Sequence, residues 1–438
     1  MMQAKKGIGN RLVPILLSFK PSSSSSSSPF SSLSVSMAVS SLQLNTKIVT
    51  MLLLFNLLRT DFSHFQLCSA LGINYGQVAD NLPSPEQVRG LLTSLRISKI
   101  RIYDVNPRVL AAFVGTGIEL IVTVPNDAVA LLADPRQALQ WLTTNVRPFV
   151  PTTRITGIAV GNEVFTGDDP ALMSNLVPAM LALHSALAEL GLDASIHVST
   201  ANSLAVLATS YPPSMGAFKP ELSGLMLPFL QFLAATGAPF WINAYPYFAY
   251  KDDPAAVSLD YVLANPNAGT VDPYTGLRYD NMLYAQVDAV AMAAARMGCG
   301  GVDVRVSETG WPSKGDADEV GATVENARAY NRNLLGQQMR GEGTPLRPEQ
   351  RLEVYLFALF NEDMKPGPTS ERNYGLFEPN GTMVYNVGLV GPRSSASISL
   401  TSSASKVLQG KGKEEGGRLW YWINIILIFS LTLKDFIS

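Results

Sequence analysis

The chain has 438 residues, of which 47% are hydrophobic, so it can bury a large core and is not disordered throughout. Its 33 basic and 35 acidic residues leave a net charge of −2, which gives no broad positive surface for nucleic acid. Two cysteines exclude a disulfide scaffold, and three histidines without an HExxH motif leave little for a zinc site. Phosphate-loop, dinucleotide-binding and nucleophile-elbow motifs are absent from the sequence, so we expect no metal and no cofactor.

Residues 1–70 have the composition of a targeting region. Before the first acidic residue, Asp61, the chain is basic and contains an unbroken serine run at 22–28, which resembles an organelle transit peptide. Within 48–70, an apolar run of signal-peptide length is followed by small residues that approximate a cleavage site before Leu71. We therefore expect secretion. A plastid transit peptide and a flexible tail without an address are the alternatives.

Residues 71–392 are expected to form one large domain in which short apolar runs alternate with helical stretches. Several runs are almost continuously hydrophobic, as strands buried on both faces are. The eight predicted strands are 71–77, 99–104, 119–125, 155–163, 195–201, 240–248, 302–311 and 351–362. The predicted helices include 85–95, which follows the capping residue Ser84, and 171–190, which ends at Gly191. This alternation favours a closed parallel (β/α)₈ TIM barrel, with an open doubly wound sheet as the alternative.

Three glutamates end predicted strands of this domain. Glu163 ends the fourth strand, Glu308 the seventh and Glu362 the eighth, at the carboxyl ends where the chemistry of such barrels collects. Acids that meet at one mouth move one another's pKa values apart. The pattern indicates an acid/base pair. The alternative is that each glutamate caps a helix or pairs with an arginine.

Aromatic and amide side chains gather at the same predicted strand ends. Sugar rings stack on aromatic faces, and sugar hydroxyls need hydrogen-bond partners, so acids, aromatics and amides at one rim indicate glycoside chemistry. The expected substrate contacts are Tyr103, Asn162, Asn243, Tyr245, Tyr247, Trp311 and Phe360. Aromatic residues in a barrel also pack its core, which is the alternative for each of them.

The residues after the predicted barrel have two further compositions. Residues 393–418 are Ser-rich and then polar, and 419–438 contain an almost wholly apolar run that is short for a transmembrane helix. Small residues, a polar spacer and an apolar tail are typical of a GPI-anchor signal, and we expect attachment at Ser403. A single-pass anchor or a buried helix is the alternative.

Asn380-Gly381-Thr382 is the single Asn-x-Ser/Thr sequence of the chain, and it makes Asn380 a glycosylation candidate in a secreted protein. Asn-Gly also favours a turn, and both interpretations can hold together.

Specific motifs run through residues 71–392. They are GINYGQVADNLPSP near the start, KIRIYDVNP on the second predicted strand, GIAVGNEV on the fourth, NAYPYFAY on the sixth, VSETGWPSKG on the seventh and FALFNEDMKPG on the eighth, with NYGLFEPNGT closing the domain. By these motifs the domain resembles plant endo-1,3-β-glucanases of glycoside hydrolase family 17.

The resemblance implies a (β/α)₈ barrel that hydrolyses internal 1,3-β-D-glucosidic bonds with retention of configuration. It implies Glu163 as the general acid/base and Glu308 as the nucleophile, with the two carboxyl groups ~5–5.5 Å apart. It also implies a supporting charged cluster of Glu362, Lys365 and Glu371. We expect a monomer acting on callose-like or fungal wall glucan, at the outer face of the plasma membrane or in the cell wall, in defence or in callose turnover. A non-catalytic wall glucan-binding protein and a 1,3-β-glucan transglycosylase are the alternatives.

Overall fold

The computed structural model describes residues 71–389, which form a closed barrel of eight parallel strands. The strands are β1 Leu71–Tyr75, β2 Lys99–Ile102, β3 Glu119–Val124, β4 Arg154–Asn162, β5 His197–Ser203, β6 Phe240–Asn243, β7 Val304–Thr309 and β8 Val354–Leu356. β1 pairs with both β2 and β8, so the sheet has no edge. The predicted barrel is confirmed. The predicted signal at 48–70, the linker, the anchor signal and Ser403 lie outside the described residues.

Six of the ten helices in residues 71–389 begin after a residue whose side chain caps the first turn. They are α1 Pro85–Ser94, α2 Pro107–Ala112, α3 Asn126–Leu132, α4 Pro135–Asn145, α5 Pro170–Glu189, α6 Ser223–Thr236, α7 Pro246–Asp252, α8 Leu259–Val262, α9 Met282–Arg296 and α10 Val324–Arg340. In α1 the Ser84 side chain accepts from the Gln87 N–H, and the Gln87 side chain accepts from the Ser84 N–H, which completes a capping box. Both predicted helices are found within one residue of their expected bounds.

Six of the eight strands are shorter than predicted, and the sixth and the eighth differ most from their predicted bounds. The sixth ends at Asn243 because Pro246 opens α7, where its missing N–H and fixed φ suit a first helical turn. The eighth ends at Leu356, so Glu362 lies six residues beyond the strand rather than at its end. Beyond Leu356 the backbone still bonds to its barrel neighbours, since the Phe357 N–H donates to the Thr309 carbonyl.

The barrel interior has an apolar layer between a charged cluster at the amino ends of the strands and polar residues at their carboxyl ends. Ile121, Ala159, Ala201, Trp241 and Tyr355 form a separate apolar cluster of buried residues. Because this interior cluster is distinct from the main core between strands and helices, each strand buries both of its faces. The polar residues described below lie toward the carboxyl ends of the strands, which leaves that mouth for chemistry.

Two small antiparallel hairpins between β5 and α9 were not predicted. Residues 207–209 pair with 217–218, and 270–271 pair with 278–279. The Ser214 N–H and hydroxyl donate to the Asp272 carboxylate at 2.8 and 2.7 Å and tie the two hairpins together. The Arg296 side chain at the end of α9 donates to the Ser214 carbonyl at 2.9 Å, so the first hairpin packs against α9.

Substituting Ser84→Ala removes the side-chain acceptor of the α1 cap and is expected to lower the free energy of unfolding by about 1 kcal/mol. The control is Ser174→Ala in α5, where an exposed hydroxyl donates to a carbonyl within its own helix. We expect the control to stay within about 0.5 kcal/mol of the wild type in urea-induced unfolding. Equal destabilisation by the two variants would contradict the capping role.

Candidate active site

Glu308 near the end of β7 is 7% exposed and is held by three donors. Arg101 Nη1 and the Tyr103 hydroxyl donate to Glu308 Oε1 at 2.6 and 2.8 Å, and the Tyr245 hydroxyl donates to Oε2 at 2.8 Å. Burial, and then the Glu308 charge, raise the pKa of Tyr103 and of Tyr245 well above the ordinary value. Both phenols therefore stay protonated at neutral pH and act as hydrogen-bond donors to the Glu308 side chain, beside the Arg101 guanidinium.

Arg101 on β2 is the site residue that the sequence reasoning missed. Its side chain is fully buried, and its second terminal nitrogen, Nη2, donates to Asn162 Oδ1 at 2.8 Å. One guanidinium thus joins β7 to the end of β4. A signal was present in the sequence, because an arginine between Ile100 and Ile102 in a buried strand needs an anionic partner.

Glu163 directly follows β4 and has a left-handed backbone, with φ 55° and ψ 31°. For a residue other than glycine this conformation costs on the order of 1–3 kcal/mol, and such strain gathers at functional sites. Burial raises the pKa of Glu163, and the nearby Glu308 charge raises it further. A hydrogen bond from Asn243 Nδ2 to Glu163 Oε1, at 2.8 Å, and the Arg101 charge offset this only in part. The environment of Glu163 therefore favours its protonated form.

Asn243 at the end of β6 connects the surroundings of the two glutamates. Its Nδ2 atom donates to Glu163 and lies 3.5 Å from Asn162 Oδ1. Its Oδ1 atom accepts from the Ser307 hydroxyl at 2.8 Å, and Ser307 precedes Glu308 in the chain. The structure thus brings together the two glutamates and both predicted asparagines in one network.

The predicted charged cluster is divided between the cavity and the wall behind it. Lys365 and Glu371 line the same cavity as Glu163 and Glu308. Lys365 Nζ lies 3.7 Å from Glu362 Oε2, whereas Glu362 itself is buried and accepts from the backbone N–H of Val78 at 2.8 Å. Glu362 therefore does not line the cavity but forms an ion pair with Lys365, which does.

Glu371 is carried by a loop that two acids of the segment after β7 hold in place. Glu319 accepts from the Ser370 N–H at 3.0 Å and from the Ser370 hydroxyl, and Asp316 accepts from the Thr369 N–H at 2.9 Å. Burial alone raises the pKa of Glu319, but these hydrogen bonds bring it below its usual value. Burial raises the pKa of Glu371, and Lys365 partly offsets the rise.

Three aromatic residues that were predicted to contact substrate lie in the core instead, which corrects that prediction. Tyr247 and Trp311 are fully buried with ring centroids 5.2 Å apart, and Phe360 packs on Phe377 at 6.4 Å. The Trp311 indole N–H is already satisfied by the carbonyl of Gly321. Each of these residues follows a strand end, but its ring packs in the main core and does not line the cavity.

The cavity at the mouth has a volume of about 510 Å³, which falls in the range of about 300–1,000 Å³ for ligand pockets. Of the predicted contacts, Tyr103, Asn162, Asn243 and Tyr245 line it. Within residues 71–389, no group of three His, Cys, Asp or Glu side chains is placed to hold a metal ion. Asn380 lies apart from the cavity in an exposed turn, where its side chain accepts from the Thr382 N–H.

Cleavage of a glycosidic bond needs one carboxylic acid to protonate the leaving oxygen and one carboxylate to meet the anomeric carbon. Glu163, whose pKa is raised, and Glu308, which is held by three donors, meet these opposite requirements in one cavity. The fold and the site together define a glycoside hydrolase.

The comparisons with known proteins give the family. The family model of "Glycosyl hydrolases family 17" matches residues 71–389. Glucan endo-1,3-beta-glucosidase 11 of Arabidopsis thaliana is 53% identical over 322 residues, which are 73% of this chain and 76% of the relative. The chain belongs to glycosyl hydrolase family 17, and the resemblance seen in the sequence is confirmed.

Two solved structures agree with this assignment. CJP38, described as a beta-1,3-glucanase and allergen of Cryptomeria japonica pollen, is 42% identical with a TM-score of 0.70, over 73% of this chain and 98% of CJP38. A structure from a study of two plant beta-glucan endohydrolases with distinct substrate specificities is 40% identical with a TM-score of 0.67, over 72% of this chain and 99% of that one.

Substituting Arg101→Met leaves the buried Glu308 carboxylate without its cationic partner and is expected to lower the free energy of unfolding by about 3–5 kcal/mol. Arg136→Met is the control, since the Arg136 side chain is 92% exposed and lies 3.5 Å from Asp134. We expect a change of at most about 1 kcal/mol for the control. Guanidinium-induced unfolding at neutral pH checks both, and a loss below about 1 kcal/mol for Arg101→Met would refute the buried pair.

Proposed function

We propose that this chain is an endo-acting hydrolase of internal 1,3-β-D-glucosidic bonds, with 1,3-β-glucan as its substrate. The observation that carries the proposal is the placement of Glu163 and Glu308 in one cavity with opposite electrostatic environments. The names of the relatives, glucan endo-1,3-beta-glucosidase and beta-1,3-glucanase, support the substrate class.

Glu163 and Glu308 carry out a double displacement in this proposal. In the first step a Glu308 oxygen bonds to the anomeric carbon while the bond to the leaving oxygen breaks, and that oxygen takes the proton of Glu163. In the second step Glu163, now a carboxylate, takes a proton from water as the water oxygen attacks the anomeric carbon and releases Glu308. Two inversions give net retention of configuration.

The residues around the pair prepare it for both steps. Arg101, Tyr103 and Tyr245 orient the Glu308 carboxylate before substrate arrives, so no reorganisation is needed during attack. Arg101 also donates to the side-chain oxygen Oδ1 of Asn162, which leaves the N–H groups of the Asn162 side-chain amide to bind the sugar 2-hydroxyl. Lys365 contributes positive charge at the same cavity.

We also propose that the protein is secreted, GPI-anchored at the outer cell surface and monomeric. The signal-like run within 48–70 and the small, polar and apolar segments over 393–438 support this. Treatment of intact membranes with phosphatidylinositol-specific phospholipase C is expected to release the protein. Retention on the membrane after treatment would count against the anchor.

Substituting Glu308→Ala is expected to reduce the rate of reducing-end release from linear 1,3-β-glucan about 10⁴–10⁶-fold, because no other group forms the glycosyl-enzyme. Glu163→Ala is expected to cost about 10²–10⁴-fold on glucan and much less on substrates whose leaving group needs no proton. Glu189→Ala, at an exposed position at the end of α5, is the control and should match the wild type.

The products of the same assay separate hydrolysis from its alternatives. Shorter glucans with free reducing ends are expected, with cuts inside the chain. Products longer than the substrate would identify a transglycosylase. Glucan binding by the wild type without any product would contradict turnover and favour a binding protein.

The pH dependence of kcat/KM is expected to follow the ionisation of Glu163. Its pKa is raised above the ordinary value of about 4.3, so activity should persist above that pH and fall as pH rises through the Glu163 pKa, where the proton for the leaving oxygen is lost. On the same glucan, the residual activity of Glu163→Gln should lack this alkaline limb.

Glu371→Gln is the matched comparison for the pH profile, because the pKa of Glu371 is also raised by burial in the same cavity. If Glu163 is the acid, the alkaline limb remains in Glu371→Gln. Loss of the limb there, with its survival in Glu163→Gln, would reverse the assignment.

A further inference from the structure

Asn74 on β1 is a buried amide that the reaction steps described above do not use. Its side chain has no solvent exposure and does not line the active-site cavity. Its Nδ2 atom donates to the backbone carbonyls of Ser307, Tyr355 and Leu356, at 3.0, 3.4 and 3.3 Å. An Oδ1 atom in that position would face only acceptors, so these three carbonyls fix which way the amide points.

The fixed amide turns its Oδ1 atom toward the hydroxyl of Tyr103. The two oxygens lie 3.1 Å apart, and the same hydroxyl lies 2.8 Å from Glu308 Oε1. A phenol has one hydrogen, so Tyr103 donates to only one of these acceptors at a time. In the described part of the chain Tyr103 is the one donor to Asn74 Oδ1, and burial of the amide keeps bulk water away. The two acceptors therefore compete for one hydrogen.

The charge of Glu308 decides which acceptor holds that hydrogen. A hydrogen bond to an ionised acceptor is about twice as strong as one between neutral groups, so a Glu308 carboxylate takes it. When a Glu308 oxygen bonds to the anomeric carbon, the side chain becomes a neutral ester and loses this advantage. The Tyr103 ring is fixed, since the Arg101 guanidinium lies 4.7 Å from its centroid and the Phe357 ring packs edge-on at 6.4 Å. Only the hydroxyl hydrogen has to turn.

We propose that Asn74 is a positioning residue that acts through Tyr103 on the two states of Glu308. In the free enzyme Tyr103 donates to Glu308, and in the glycosyl-enzyme the same O–H turns to Asn74 Oδ1. No proton leaves the phenol oxygen, and the hydrogen returns to Glu308 when water releases the sugar. Asn74 thus stabilises the ester, which favours attack by Glu308 but not its release. This inference rests on the proposed function, because it needs a covalent intermediate on Glu308.

The test measures the two chemical steps separately in Asn74→Leu, because leucine has the branched shape of asparagine without its polar atoms. The probe is a 1,3-β-gluco-oligosaccharide with fluorine in place of the 2-hydroxyl of its reacting glucose and with dinitrophenolate as the leaving group. Mass spectrometry follows formation of the adduct and then, after excess probe is removed, loss of the adduct in water. Formation is expected to slow about 3–10-fold, the effect of one neutral hydrogen bond, whereas loss of the adduct should not slow.

Asn202→Leu is the matched control. Asn202 on β5 is 1% exposed, and its Nδ2 atom also donates to two backbone carbonyls of the barrel, those of Thr200 and Trp241. Its Oδ1 atom has no hydrogen-bond partner within residues 71–389, and the residue does not line the cavity. We therefore expect Asn202→Leu to keep the wild-type ratio of the two rates.

A double-mutant cycle shows whether Asn74 acts through the phenol. In a Tyr103→Phe background, Asn74→Leu should leave the ratio of the two rates unchanged, because no hydroxyl remains to be shared. The same 3–10-fold change in that background would overturn the role of Asn74, and so would an unchanged ratio in the single variant Asn74→Leu. Either result leaves the double displacement intact. Absence of any adduct on the wild type would instead overturn the proposed function.

A crystal structure of the wild-type 2-fluoroglycosyl-enzyme tests the same inference without a variant, so it decides if Asn74→Leu does not fold. The distance from the Tyr103 oxygen to Asn74 Oδ1 should shorten from 3.1 Å into the O–H···O range of about 2.5–3.0 Å. The distance from the Tyr103 oxygen to Glu308 Oε1 should lengthen beyond that range. An unchanged 2.8 Å contact to Glu308 in the adduct would overturn the proposal.

Discussion

The ion pair between Arg101 and Glu308 is the constraint on which the site depends. Arg101 Nη1 and Glu308 Oε1 lie 2.6 Å apart inside a closed barrel, where the guanidinium has no exposure to solvent. Two buried ions recover the cost of leaving water only if their geometry is good and further hydrogen bonds satisfy them. The phenols of Tyr103 and Tyr245 and the amide of Asn162 provide those bonds. One residue of β2 therefore contacts both Glu308 and Asn162 and fixes their relative position.

The same arrangement gives the two glutamates different electrostatic environments. Glu308 receives three donors, whereas Glu163 receives one from Asn243 and lies where burial and the Glu308 charge both raise its pKa. The two residues therefore have different environments, three donors around Glu308 and a raised pKa at Glu163, as acid/base catalysis requires. The left-handed backbone of Glu163 is the conformational cost of placing it directly after β4.

Local patterns in the sequence were sufficient to predict the barrel and the position of Glu163 and Glu308 at one cavity. Strands that are buried in a parallel sheet appear in the sequence as apolar runs. Because the carboxyl ends of parallel strands lie at the same end of a barrel, Glu163 and Glu308 were expected to lie close together. The role of Arg101 was not predicted because its partner, Glu308, is 207 positions away in the sequence. The prediction that Trp311 contacts substrate was wrong, because the end of a strand locates a residue in the fold but does not determine which neighbours its ring packs against. The Glu319–Ser370 contact likewise joins two loops that no local pattern links.

The assignment of Glu308 as nucleophile and Glu163 as acid/base is tested most directly by covalent labelling of the enzyme. The reagent is a slow glucosyl substrate that has fluorine in place of the 2-hydroxyl and carries a good leaving group. Mass spectrometry of the intact protein and of its peptides then locates the adduct. One glucosyl unit bound to Glu308, and none in Glu308→Ala, is the result expected from the geometry. An adduct on Glu163, Glu362 or Glu371, or turnover to a product of inverted configuration without an adduct, would contradict it.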